Sequence, residues 1–341
     1  MRVLFWHVHG GYADAFVRGP HEYLIPRDDA RGWHGLAGRE WPQAREVAAD
    51  RLRDEHIDIV VLQRTEEWDE VRVLTGREPG RDIPALFLEH NTPKPDATGT
   101  VHPLADAGIP IVHVTHFNRV FWDTGRAPVL VVEHGVPDPG ALYTGELARS
   151  AAVINEPVRR WRVTGTDLLP RLAAPAPLDV FGMGGDALPR ALAEHVRPGR
   201  APAVVPAGDL PPARLHAELA RRRVYVHPFR WTSLGLALLE AMHLGMPIVA
   251  LAATEAPAAV PPDAGVVSND LERLERAIAA YIADPELAAH HGRRARRHAL
   301  DHHGLPAFLR RWDDVLADVV ENGSRRRGAT TSLAPAGRSM R

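Results

Sequence analysis

A chain of 341 residues, 45% hydrophobic and 25% charged, has the composition of a globular protein long enough for two ordinary domains. With 41 basic and 43 acidic side chains, its formal net charge of -2 offers no global field for nucleic acid or an acidic membrane. The absence of cysteine excludes disulfides, thiolate catalysis, zinc–sulfur sites and iron–sulfur clusters, and with Lys94 as the one lysine, cationic work falls to arginine.

The opening MRVLFWHVHGG carries one positive charge and an apolar run too short for the core of a signal peptide. No run of about 18 apolar residues follows, which predicts a cytoplasmic protein that at most touches a membrane surface. Short apolar runs then alternate with helical patterns. Strands are expected at Val3–Val8, Ile57–Leu62, Ala85–Leu88, Ile109–Val114 and Pro128–Val132, with a helix over Gln43–His56 among the intervening segments. The pattern restarts with strands at Ala152–Asn155, Leu178–Phe181, Ala203–Val205, Val224–Val226 and Ile248–Leu251. Helices are expected near Asp167–Ala173, Pro212–Arg221, Leu236–Leu244 and Leu271–Ala283.

Between the two sets, Pro137, Pro139 and Gly140 break regular structure. This predicts an N-terminal domain over 1–140, a C-terminal domain over 150–303, and a helix over 304–320 able to pack back on the first domain. Residues 321–341, nearly free of apolar side chains, are expected to form a disordered tail. Two open α/β domains would bind a ligand at the carboxyl ends of their strands.

The segment HPFRWTSLGLALLEAMHLGMPIVAL, His227–Leu251, reads as strand end, loop, apolar helix and next strand. Gly245 stands where a C-cap glycine belongs and Pro247 where the helix cannot continue. Glu240 lies among Leu236, Leu238, Leu239, Ala241, Met242 and Leu244, so burial is expected, and a buried carboxylate needs donors. Ribose hydroxyls would supply them; a structural ion pair, or a place on one exposed strip, would also account for the residue. Ser233–Gly235 would present free backbone N–H groups at the helix N-terminus, a natural phosphate site.

This segment resembles the donor-binding signature of retaining GT-B glycosyltransferases of the family-four type (glycosyltransferase group 1). The matched positions are Pro228, Arg230, Gly235, Leu236, Leu239, Glu240, Ala241, Met242, Gly245 and Pro247. The resemblance implies a GT-B architecture, two Rossmann-like α/β domains facing a central cleft. It further implies sugar transfer from a nucleoside-diphosphate donor to an acceptor hydroxyl, with retention, without a metal and without a further cofactor. In the family a first glutamate contacts the donor sugar and a second binds ribose; the second is matched by Glu240, whereas the first is replaced by Thr232.

Weaker resemblance extends further. In VINEPVRRWRVTGTDLL, Arg159 falls on a family arginine that neutralises the donor diphosphate and Gly165 on a glycine. The accompanying lysine position is Thr164, leaving Arg162 or Arg160 to replace its charge. Gly182, in FGMGGD, resembles a turn beside the nucleotide base, and Gly10–Gly11 a loop under the donor phosphate and sugar that borders the acceptor. His90, after a strand, resembles a histidine close to the transferred sugar, and His113 and His116 stand at the next strand end. The resemblance thus implies a donor set of Glu240, Thr232, Ser233, Leu234, Gly235, Arg230, Arg162, Gly182, Gly10 and Gly11, with His90 and Arg159 at the reaction centre. The acceptor would be a sugar, lipid or natural product, and nucleic acid is not an expected partner.

Two other readings compete. Thr232 and Thr164 at donor positions also suit a non-catalytic nucleotide-sugar-binding protein, or an epimerase, of the same fold. His7-x-His9 at the first strand end would suit a metal-dependent hydrolase, which requires an eight-stranded barrel. The basic, histidine-rich run HHGRRARRHALDHH reads as a solvated helix.

Overall fold

A computed structural model describes residues 1–195 and 203–331. It consists of two compact units, Met1–Gly135 with Pro306 onward, and Val136–Leu305.

The first unit carries an eight-stranded sheet: β1 (Arg2–Phe5), β2 (Glu22–Asp28), β3 (Trp33–His34), β4 (Ala44–Ala48), β5 (Ile59–Leu62), β6 (Ala85–Glu89), β7 (Ile111–His113) and β8 (Val129–Val131). The order is β3-β2-β1-β5-β6-β7-β8, with β4 also against β2, and all pairs are parallel except β2 with β3. Strand β5 is buried throughout, as a strand covered on both faces requires. The helices of this unit are α1 (Gly10–Phe16), α2 (Glu67–Thr75) and α3 (His116–Phe121).

The second unit carries six parallel strands: β9 (Leu147–Val153), β10 (Leu178–Phe181), β11 (Val204–Gly208), β12 (Arg222–His227), β13 (Ile248–Leu251) and β14 (Gly265–Ser268), in the order β11-β10-β9-β12-β13-β14. Its helices are α4 (Leu169–Leu172), α5 (Leu188–His195), α6 (Pro212–Ala220), α7 (Leu236–Leu244), α8 (Ala256–Ala259), α9 (Leu271–Ala283) and α10 (Pro285–His303). Gly245 does cap α7, at φ +91°. A Cβ on Gly292 of α10 would fall 1.9 Å from the Gly245 carbonyl oxygen, so the two helices meet where neither residue has a side chain. The final helix, α11 (Leu305–Thr331), belongs mainly to the first unit, where Trp312 donates to the Tyr12 hydroxyl at 2.9 Å.

Two expectations are corrected. Residues 43–56 are not a helix: β4 pairs with β2 from Tyr23↔Ala44 to Arg27↔Ala48, and Arg45 bridges Glu22 and Glu55. Sheet pairing and ion pairs override the helix-forming alanines and arginines there. Strand β2 was hidden by Pro26, a residue that argues against a strand interior. Residues 321–331 continue α11 rather than forming a disordered tail, since each added residue on an existing helix gains a hydrogen bond; residues 332–341 lie outside the described residues. Among the described residues no helix is long and apolar enough to cross a membrane.

Candidate functional site

In the second sheet, β10 and β12 flank β9 on opposite sides, so the chain leaves the carboxyl ends of β9 and β12 in opposite directions and opens a crevice between them. Residues 154–167 follow β9 and residues 228–235 follow β12. Gly165, at φ +72°, lets these loops touch: a Cβ there would fall 1.9 Å from the Pro228 carbonyl oxygen. The backbone N–H groups of Arg230 and Trp231 donate to the Val163 carbonyl at 2.9 and 3.3 Å. Arg230 also grips Asp167 at 2.6 and 2.9 Å, so its charge is committed to holding the loops together.

The other cations here differ in their freedom. Arg162 is exposed and pairs with Asp167 at 3.1 Å. Arg159, 71% exposed, lies 3.5 Å from Glu156. Arg160 is half-buried and no carboxylate among the described residues pairs with it; burial and the neighbouring Arg159 lower its pKa. Thr164 is sealed in, its hydroxyl 3.0 Å from that of Thr166, and so cannot stand in for a phosphate-binding lysine. Arg160 is thus the residue the sequence named only as an alternative.

The loop into α7 lies flat over an imidazole. A Cβ on Gly235, the N-cap, would come 2.9 Å from His227 Cε1. His227 stacks on Phe229 at 4.5 Å, and burial alone lowers its pKa to about 3. Among the described residues its Nδ1 finds no partner, and neither does the enclosed Thr232 hydroxyl. The side chains of Ser233 and Leu234 are buried, so only their backbone can face a ligand. Among the described residues no side chain caps α7, which leaves its first N–H groups for a ligand.

Glu240 is not the fully buried charge expected. Its side chain is 24% exposed and shares with Leu236 and Ala237 the one incompletely covered strip of α7. Its ionic neighbour is His216 of α6, with Nε2 3.6 Å from Oε2. Spacing in the sequence carries no signal for this pair, which depends on how α6 and α7 pack. Gly182, at φ +116°, fits beside β9 because a Cβ would lie 2.7 Å from both Asn155 Oδ1 and the Ile154 carbonyl oxygen.

The first sheet has its own crevice, between the ends of β1 and β5. Gln63 Nε2 donates to the Trp6 carbonyl at 2.7 Å, which turns Oε1 toward His90 Nε2 at 3.0 Å. His90 therefore carries its proton on Nε2 and keeps a lone pair on Nδ1. Burial, with His9 and His134 nearby, holds it neutral, and its ring lies 4.2 Å from that of His9. Glu67, accepting from the Gln63 and Arg64 backbones and from the Arg64 side chain, supports this turn; burial nevertheless pushes its carboxyl up to about 7. Gly10 and Gly11 begin α1 at the same edge. His113 is a core residue, fully buried in β7, whereas His116 is exposed at the start of α3.

The sheets are open, which removes the barrel that the metal-hydrolase reading needs. His7 and His9 also part company: His7 bonds to the Gly35 carbonyl while His9 packs on His90. Among the described residues no group of three or more His, Asp or Glu is placed to hold an ion.

Residues 157–284 match the family model described as Glycosyl transferases group 1. LpcC of Rhizobium leguminosarum bv. viciae, a lipopolysaccharide core biosynthesis mannosyltransferase, is 38% identical over 109 residues. That stretch is 31% of this chain and 30% of LpcC, so the match spans under a third of the relative's length. Among solved structures, sucrose-phosphate synthase from Thermosynechococcus elongatus superposes with a TM-score of 0.71 at 13% identity, covering 94% of this chain and 100% of the other. The Anabaena protein HepE, in complex with UDP and glucose, gives 0.71 at 13% identity over 93% and 99%. At such identity the likeness is one of fold, and the fold is GT-B.

Proposed function

We propose, from the match of residues 157–284 to the family model described as Glycosyl transferases group 1, that this protein transfers a sugar from a nucleoside-diphosphate donor to an acceptor hydroxyl, with its second unit holding the donor. The observation that carries this reading is the place of Glu240 on the open strip of α7, five residues beyond the uncapped N-terminus at Gly235. At about 1.5 Å per residue that is a rise of roughly 7.5 Å, which suits a diphosphate at one end and a ribose at the other.

Arg160 and the first N–H groups of α7 would stabilise the charge that develops on the leaving diphosphate, the largest requirement of such a transfer. We assign no general base: in transfer with retention the departing phosphate can take the proton of the incoming hydroxyl. Neither a metal nor a further cofactor enters this scheme. HepE supplies UDP as one nucleotide to test and LpcC supplies mannose as one sugar. The acceptor would be a sugar, lipid or natural product met in the cytoplasm or at a membrane surface.

The test is titration of UDP and GDP against wild type and Glu240→Ala. Losing hydrogen bonds to a charged group costs about 1.5–3 kcal/mol, so one nucleotide should bind about ten- to a hundredfold more weakly to the variant. Equal binding to both proteins, or binding of neither nucleotide, would remove the site. The sealed Thr164 and the uncharged Thr232 favour a second reading, nucleotide-sugar binding without turnover. A donor-hydrolysis assay separates the two.

A further inference from the structure

Beside the β1 crevice lies a cation that the donor reading does not use. Residues 35–41, between β3 and β4, are clasped at three points. His7 Nδ1 donates to the Gly35 carbonyl at 3.1 Å, Glu46 accepts from the Leu36 N–H at 2.8 Å, and Trp41 Nε1 donates to Asp14 at 3.1 Å. Within the loop Ala37 is held at φ +51°, a left-handed conformation that costs an alanine about 1 kcal/mol or more. A strained residue persists only where its surroundings over-determine it, and here they fix the residue two places on, Arg39.

The Arg39 guanidinium lies over Gly10. A Cβ on that glycine would stand 2.8 Å from Arg39 Nη2 and 3.6 Å from His7 Nε2, so the missing side chain is what admits the arginine. Its Cζ is 5.9 Å from the Trp41 ring centre. Arg39 is half-buried, yet no carboxylate among the described residues pairs with it. The two acids that clasp this loop are committed elsewhere, Asp14 to Arg18 and Trp41, and Glu46 to Arg27 and Leu36. Because His7 spends its Nδ1 proton on Gly35, its Nε2 is a lone-pair acceptor, and burial together with the charge of Arg39 favours the neutral ring. The group therefore offers one unspent cation and one hydrogen-bond acceptor, with a planar aromatic wall.

We propose that Arg39, Gly10 and His7 form an oxyanion site in the first unit, taking a phosphate or carboxylate group through the planar fork of Arg39. His7 Nε2 accepts from a hydroxyl next to that group. The oxyanion has two possible sources, an acidic or phosphorylated acceptor and the diphosphate of the donor, and one experiment separates them.

The intact protein is titrated calorimetrically with inorganic phosphate, glucuronate and UDP, alongside Arg39→Gln and Gly10→Ala. In Gly10→Ala the new methyl group displaces the guanidinium while keeping its charge, so this variant decides the matter should Arg39→Gln fail to fold. The expected result is at least about tenfold weaker binding of phosphate or glucuronate to both variants. If UDP affinity is unchanged the anion belongs to the acceptor; if it falls in parallel the anion is the donor's diphosphate. Unchanged affinity for all three ligands in both variants, or no binding of any to wild type, overturns the site. Wild type that binds phosphate but not UDP would sink the donor reading and leave the Arg39 site standing.

Discussion

Four arginines stand at or beside the loops of the second crevice, and their partners separate them. Arg230 and Arg162 share Asp167, Arg159 extends into solvent near Glu156, and of the four Arg160 alone is half-buried with no carboxylate partner among the described residues. A cation already neutralised adds little to a departing diphosphate, and an exposed one is screened. Arg160→Gln should therefore weaken binding of the preferred nucleoside diphosphate by about tenfold, whereas Arg159→Gln changes it by less than about twofold. Titration of both variants checks the ranking; a larger loss in Arg159→Gln would reverse it. Glu240 also changes character at this scale. A carboxylate with partial access to solvent and a histidine at 3.6 Å is a group that can exchange water for a ligand hydroxyl, as the proposed ribose contact requires, rather than one awaiting rescue from burial.

At the scale of elements, the crevice depends on contacts between loops that only glycine permits. Gly165 combines φ +72° with the 1.9 Å approach to Pro228, so Gly165→Ala must strain the backbone and separate the two loops. The expected cost is about 2–4 kcal/mol in urea unfolding, together with weaker nucleotide binding. A variant as stable as wild type would show that the loops are not locked at this point. Gly235 acts differently: its φ of -73° suits any residue, and what excludes a side chain is His227 beneath it. Gly235→Ala should therefore leave stability changed by no more than about 1 kcal/mol if the imidazole shifts, while altering nucleotide affinity. Unfolding and titration on one preparation measure both.

At the scale of the molecule, the chain returns to its first unit through α11. Trp312 is buried against Phe16 at 4.9 Å and hydrogen-bonded to Tyr12, whose ring also packs on His90. Trp312→Ala should cost about 3–5 kcal/mol and lower the melting temperature; a change below about 1 kcal/mol would mean that α11 does not hold the core of this unit. Acid should act on both units through buried neutral histidines. His113 is lowered to about 4 and His227 to about 3 from an ordinary 6.5, both by burial first. Their folded forms resist the proton that the unfolded chain takes up. The stability they protect is full above about pH 6.5 and is lost progressively as pH falls toward 4 and 3. Glu67 runs the other way, its raised pKa of about 7 favouring the fold at lower pH. With two histidines against one glutamate, urea midpoints should fall by an amount worth a few kcal/mol between pH 6.5 and 4.5. A flat profile would contradict the burial of these rings.

Much of this architecture is legible in the amino-acid sequence. Buried parallel strands such as β5 and β13 announce themselves as short apolar runs because both faces are covered, and Gly245 with Pro247 marks the end of α7 through backbone geometry that is local. Local physics therefore suffices for two α/β units and for the α7 segment. It does not suffice for β4, where pairing with β2 outweighs helix propensity, or for the partners of charged groups. Which arginine remains unpaired, that Thr164 is sealed, that Glu240 meets His216 and that Arg39 lies over Gly10 depend on residues distant in sequence. Propensity and periodicity are properties of neighbours along the chain, whereas burial and charge pairing are properties of neighbours in space, and those the tertiary structure alone decides.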